Sequence, residues 1–377
     1  MSQGAIKKAG AVALAALGAI LIASPAALAS SVTVTGGDTV RVAETGNQVN
    51  QITVSVDAES NGFYSVRDSS ATLTPNGPCV AVNGHYAVCP RTGIKTIIVQ
   101  TGDGADAITL DPATIPGTIN ETVDGGSGSD DITGANTPGT VSGGSGDDNV
   151  HGRGTLNGGN GNDLLTGSPL ADDLRGGNGR DNLDGGFGAD DIDGGNGADT
   201  LVYPGRVNGV NVTIGSGNFN DGGPEDQTGS RRDTVHGDVE NQFGTEHNDV
   251  LIGDRTPETL VGLGGDDFEV GNGGLDTVLG FDGNDLLIGK EGSDILRGGL
   301  GSDRLFGKSG NDRLAGGADD DFLRGGTGFD VMKGRSGNDR INARDGLRDV
   351  KISCGPGPRS LEGAKRDKGL DPRAKSC

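Results

Sequence analysis

From residue 125 onward, the apolar side chains of this sequence arrive singly, about nine residues apart, in a background of glycine and aspartate. The stretch 298–315, GGLGSDRLFGKSGNDRLA, is typical: Leu305 and Leu314 are its only apolar anchors apart from Leu300, Phe306 and Ala315. An amphipathic helix needs three or four apolar positions per two turns, and a half-buried strand needs strict alternation. Neither pattern is present there. Upstream the text is different. Between Ser30 and about Leu110 the segments SVTVT, DTVRVA, QITVSV, GFYSVRD and KTIIVQT alternate apolar and polar residues and are separated by Gly, Asn, Asp and Pro clusters, which predicts β-strands. A stray copy of the later pattern, GDGADAITL, closes this region at 102–110.

The boundaries follow from the repeat. A first array occupies 125–202, with frames such as GGSGSDDIT, GGNGNDLLT and GGNGADTLV; the frame 134–142 has lost its aspartate, and residues 152–157 read as a six-residue insert. Residues 203–243 do not repeat and are too poor in apolar residues for a core of their own, so they are read as an insertion joining two arrays. The second array keeps phase from Gly244 to Asn342 through eleven frames. Residues 30–124 form the N-terminal β region and 343–377 a C-terminal cap.

A period of nine excludes collagen, coiled coils and the helical repeats, whose periods are three, seven and above thirty. The frame GGxGxDxUx, with U apolar, resembles the RTX (repeats-in-toxin, haemolysin-type) calcium-binding proteins. That resemblance implies an all-β chain folded as a right-handed parallel β-roll, a calcium-stapled solenoid in which two frames make one coil, with the N-terminal β region as its cap. It also implies that ions sit between loops one coil apart.

The sixth residue of each frame is the candidate calcium ligand: Asp130, Asp148, Asp163, Asp172, Asp181, Asp190 and Asp199, then Asp249, Asp267, Asp276, Asp285, Asp294, Asp303, Asp312, Asp321, Asp330 and Asp339, with Glu258 in one weak frame. Calcium takes six to eight hard oxygen ligands, and glycines let the turn aim several carbonyls at one side. The eighth residue, from Ile132 to Ile341, is expected to point inward and stack into a narrow apolar column. Glu269 breaks that rule, so its frame is expected to be distorted.

Composition changes the picture in one respect. With 73 glycines, 3% aromatic residues and a net charge of −22, this chain resembles sequences that stay disordered. On the order of a dozen calcium ions would roughly cancel the charge, so folding is expected to be coupled to metal binding. Lys7 and Lys8 followed by an alanine- and leucine-rich run, with Ala27-Leu28-Ala29, read as a signal peptide (1–29) cleaved after Ala29; losing its two lysines takes the charge from −22 to −24. The expected localisation is secreted and extracellular. Four cysteines suit an oxidising compartment, with Cys79 paired to Cys89 and Cys354 to Cys377, the latter closing the cap.

The acidic balance argues against nucleic acid as a partner, and no segment after the leader is apolar enough for stable membrane insertion. The histidines His85, His151, His236 and His247 do not form HExxH, no GxxxxGK[ST] is present, and no catalytic residues are assigned, so a non-enzymatic structural role is expected. Arg304, Arg313 and Arg340 are expected to pair with acids across coils. The alternative function is a calcium-dependent adhesin or matrix component that binds glycan or another surface polymer.

Overall fold

The computed structural model describes residues 29–44, 49–56, 62–215, 221–224, 233–343, 351–353 and 365–366. Residues 1–28 of the expected leader (1–29), Cys354 and Cys377 lie outside them. Short parallel strands are built around the inward eighth residue of each frame. Equivalent strands hydrogen-bond at a spacing of 18 residues, as in Leu174↔Ile192 and Leu305↔Leu323. Two frames therefore make one coil, and the coils stack into a β-solenoid of about 12 turns. Among the described residues there is no α-helix, and no helix long and apolar enough to cross a membrane.

One sheet runs nearly the whole length, from Gln51–Val56 through Ala107–Leu110 and Asp131–Thr133 to Val331–Arg335 and Lys351–Ser353. Opposite it stand two sheets in succession. The first begins with Thr72–Asn76 and Ala29–Thr35, continues through Thr39–Ala43 and Thr96–Gln100, and ends at Thr234–Val235. The other begins at Asn211–Thr213 and ends at Arg340–Ala343 and Lys365–Arg366.

Between the sheets lies one continuous hydrophobic cluster from Val32 to Ala343. Leu165, Leu183, Leu201, Leu260, Val278 and Leu296 are all 0% exposed. The side chains are thin, but each is covered by the rungs above and below and by the opposite sheet, so even single leucines are fully buried.

Four expectations are refined. The N-terminal region does more than cap the roll: Val42, Val99 and Val123 occupy one column, Ile52, Ile108 and Ile132 the other, so its strands are the first coils. Antiparallel strands Phe63–Asp68, Val80–Asn83 and Tyr86–Pro90 extend the long sheet beyond them. Residues 152–157 are not an insert but a shortened rung. Thr140 pairs with Thr155, 15 residues on, and Leu156 takes the inward place at 0% exposure.

The stretch 203–243 likewise supplies rungs. Asn211–Thr213 opens one sheet, Thr234–Val235 closes another, and Asn241–Phe243 continues the long one. Finally, the frame of Glu269 is undistorted: Phe268, Glu269 and Val270 pair in register with Leu286, Leu287 and Ile288, and the Glu269 side chain enters the core at 0% exposure.

Candidate metal sites

The sixth residue of a frame immediately precedes the short strand, at the point where the glycine turn enters the sheet. Its backbone N–H donates to Oδ1 of the equivalent carboxylate one coil further on, at 2.8–3.1 Å, from Asp130 to Asp148 and from Asp321 to Asp339. These bonds align the carboxylates in two spines on opposite edges of the roll. One spine accompanies the long sheet: Asp130, Asp148, Asp163, Asp181 and Asp199, then Asp276, Asp294, Asp312 and Asp330. The other carries Asp172 and Asp190, then Asp249, Asp267, Asp285, Asp303, Asp321 and Asp339.

The second oxygen is the informative one. In Asp130, Asp148, Asp163, Asp181, Asp199, Asp267, Asp276, Asp285, Asp294, Asp303, Asp312, Asp321 and Asp339, Oδ2 is buried without a hydrogen-bond partner. It faces the first glycine of its own frame. A Cβ on Gly307 would lie 2.2 Å from Oδ2 of Asp312 and 2.7 Å from the carbonyl oxygen of Gly325, one coil on; Gly176 stands in the same relation to Asp181 (2.4 Å) and Gly194 (2.5 Å). The absent side chain thus leaves a small cradle lined by a carboxylate oxygen and a carbonyl oxygen, both hard donors suited to calcium. Asp172 and Asp249 differ, because their Oδ2 atoms accept the N–H of Ser168 and Thr245, each at 2.6 Å.

The family of RTX calcium-binding nonapeptide repeats (4 copies) matches residues 152–169, 166–201, 243–278, 279–314 and 315–346. These segments of the chain carry RTX repeats. No curated protein matches it.

The RTX frames thus belong to a calcium-binding structural repeat. No group of three or more His, Cys, Asp or Glu side chains converges among the described residues, because each rung contributes one carboxylate per edge. Most of any ligand shell in an RTX turn of this kind must then come from backbone carbonyls. That is where the glycines matter: Gly299 and Gly301, at φ 141° and 109°, hold backbone conformations that disfavour a Cβ.

Burial raises the carboxyl pKa values along the spines. Asp130, Asp181, Asp199, Asp285 and Asp294 are pushed to about 6. Asp148, Asp303 and Asp312 reach about 7, and Asp267 and Asp321 about 8. Loss of solvation is the main cause in each case, opposed by the N–H donated from the preceding coil and reinforced by neighbouring carboxylates. A row of anions stripped of water and facing one another needs a counter-charge.

The spines also recruit carboxylates outside the regular frames. Asp106, in the stray copy GDGADAITL, accepts the Asn50 N–H at 2.7 Å and donates its own to Asp130 at 2.8 Å. Asp233 and Glu240 accept from Asp190 (3.0 Å) and Asp199 (2.7 Å) across the 203–243 stretch. Glu258 donates to Asp276 at 3.1 Å.

Glu121 explains how frame 134–142 survives without its aspartate. Gly139 stands at the vacated position, paired in register with Glu121. The longer Glu121 side chain crosses the gap, its Oε2 accepting the Ala135 N–H at 2.8 Å and its buried Oε1 lying 2.7 Å from where a Gly134 Cβ would be. The carboxylate is lost from the frame but not from the spine.

Proposed function

We propose that this is a secreted calcium-binding RTX protein whose ions are structural. The seventeen aspartates assigned from the repeat would hold calcium, most of them through Oδ2, together with glycine carbonyls of neighbouring coils, and Glu121 would serve in place of the missing one. The observation that carries this reading is the file of buried, unpartnered Oδ2 atoms facing glycine cradles. Calcium supplies positive charge where burial has removed water; this chain's own residues supply the oxygens, the spacing and the apolar column that keeps coils in register.

The same residues connect metal binding to folding. Unfolded, the carboxylates are hydrated and far apart; stacked, they are dehydrated and adjacent, which costs free energy unless a cation is bound. On the order of a dozen ions suits the charge of −22. Export is supported by the leader-like start and by Cys79 and Cys89, which sit at disulfide distance (2.07 Å between sulfurs) at the end of the hairpin extension. The role is displayed structure rather than catalysis.

Far-UV circular dichroism tests this reading. The chain is expected to be largely disordered in excess chelator and β-rich in millimolar calcium, whereas equal β content in both conditions would remove the proposed coupling.

A further inference from the structure

The outer face of the C-terminal sheet differs from the rest of this acidic protein. On either side of each buried residue, Leu305, Leu323 and Ile341, two side chains point outward. They form two columns in register, Arg304, Phe322 and Arg340 in one, Phe306, Arg324 and Asn342 in the other. Arginine and phenylalanine therefore alternate along the roll and across it, as on a chequerboard. The rings of Phe306 and Phe322 lie 5.6 Å apart at 51°. Arg304 and Lys308 stand over Phe306 at 5.8 and 5.2 Å, and Arg340 over Phe322 at 5.9 Å.

The ion pairs expected for Arg304 and Arg340 are not formed: among the described residues neither they, Lys308 nor Arg324 has a carboxylate within ion-pair distance. The guanidinium groups of Arg304 and Arg340 lie over rings, and both residues remain exposed. The matching outward positions of the first array carry Asp173, Asp191 and Asp193, with Arg175 ion-paired to Asp173 at 2.8 Å.

A second observation concerns the rim. Lys308 and Lys290 hold φ of 83° and 82° at the frame position where Gly326 has 114°. Placing lysine in that conformation is unfavourable relative to glycine, and it fixes an ammonium at the edge of the face. Beside it, Phe306, Lys308, Ser309, Arg324 and Thr327 line a shallow depression of about 400 Å³.

We propose that this face binds an extended acidic polysaccharide with carboxylates on alternate sugars. Neighbouring rungs lie about 4.8 Å apart, so Arg304 and Arg340, two rungs apart, present cations about 10 Å apart along a straight line. That is the scale of a disaccharide repeat, and the intervening rings offer flat apolar surfaces to the C–H faces of pyranoses. The face is pre-ordered by the sheet, so binding orders few side chains. This inference rests on the calcium-assembled roll, since the columns exist only when coils are stacked.

Fluorescence anisotropy of an end-labelled hyaluronate oligosaccharide, against an uncharged dextran of matched length, tests it on the calcium-loaded full chain. Hyaluronate is expected to bind, dextran not, with affinity falling as salt rises. The double substitution Arg304→Gln with Arg340→Gln is expected to weaken binding roughly tenfold or more, while Arg175→Gln in the first array leaves it unchanged. Circular dichroism of each variant in calcium separates loss of binding from loss of fold.

Equal binding of dextran, or no effect of the double substitution, would overturn the proposal. So would concentration-dependent self-association in sedimentation velocity that the same substitution abolishes, which would assign the face to a second copy of the chain. If calcium fails to order the chain, the calcium reading falls; if the roll forms but hyaluronate does not bind, only this proposal falls.

Discussion

Replacing Glu269 by leucine is expected to stabilise the calcium-loaded roll, against the usual sign of a core substitution. Glu269 occupies the inward place between Leu251 and Leu287 at 0% exposure, and neither of its carboxyl oxygens has a hydrogen-bond partner. Burial, aided by Asp267 and Asp285 nearby, pushes its pKa well above the ordinary value, which favours the neutral acid in the core. Leaving such a group unsatisfied costs about 1–3 kcal/mol. Leucine removes that cost and adds roughly 1 kcal/mol of apolar burial, since the glutamate methylenes are already buried.

The expected gain from Glu269→Leu is about 2–4 kcal/mol. With a urea dependence of about 3 kcal/mol per molar, the unfolding midpoint in saturating calcium should rise by about 1 M. Glu269→Gln keeps the shape and the unsatisfied polar atoms, so its midpoint should stay close to wild type. A midpoint that falls in Glu269→Leu would refute the reasoning, because it would mean that the carboxyl has a favourable partner in the folded protein.

Three further outcomes follow from the same geometry. Leu305→Ala opens a cavity in the thin column and should lower stability by about 2–5 kcal/mol in the same urea assay. Gly298→Ala places a Cβ within 1.9 Å of Oδ2 of Asp303, so calcium counted by native mass spectrometry should decrease; an unchanged count would detach Oδ2 from metal binding. The third concerns pH. The spine carboxyls have folded-state pKa values raised to about 6–8, so without metal the stacked state holds more protons than the unfolded chain. Its stability is fully present below the unfolded pKa of about 4 and is lost as pH rises through about 6–8. Metal-stripped protein should therefore gain β signal on acidification from about pH 8 to about pH 4; a loss of signal would contradict this sign.

What the sequence makes legible is whatever repeats at nine. The sixth-place aspartates align in spines and the eighth-place apolar residues are buried, as their spacing predicts. The rest is hidden because parallel rungs require register between strands, not equal loop lengths. Leu156 follows a 15-residue coil and Gln242 pairs with Leu201 over 41 residues, so a fixed period passes over both. Glu121 is invisible for another reason: it belongs to one rung and completes the next, a relation that exists only after stacking. The arginines near the C-terminal end are expected to seek acids, yet Arg304 and Arg340 lie over aromatic rings two residues away and one rung away.

Hydrogen exchange, read by mass spectrometry on the metal-stripped full chain at neutral pH before and after calcium addition, tests the central claim most directly. Backbone amides of residues 244–342 are expected to exchange freely without calcium and to become protected together as it binds. Equal protection of that segment in both samples would contradict the account, because the dehydrated carboxylates would then stack without their counter-charge.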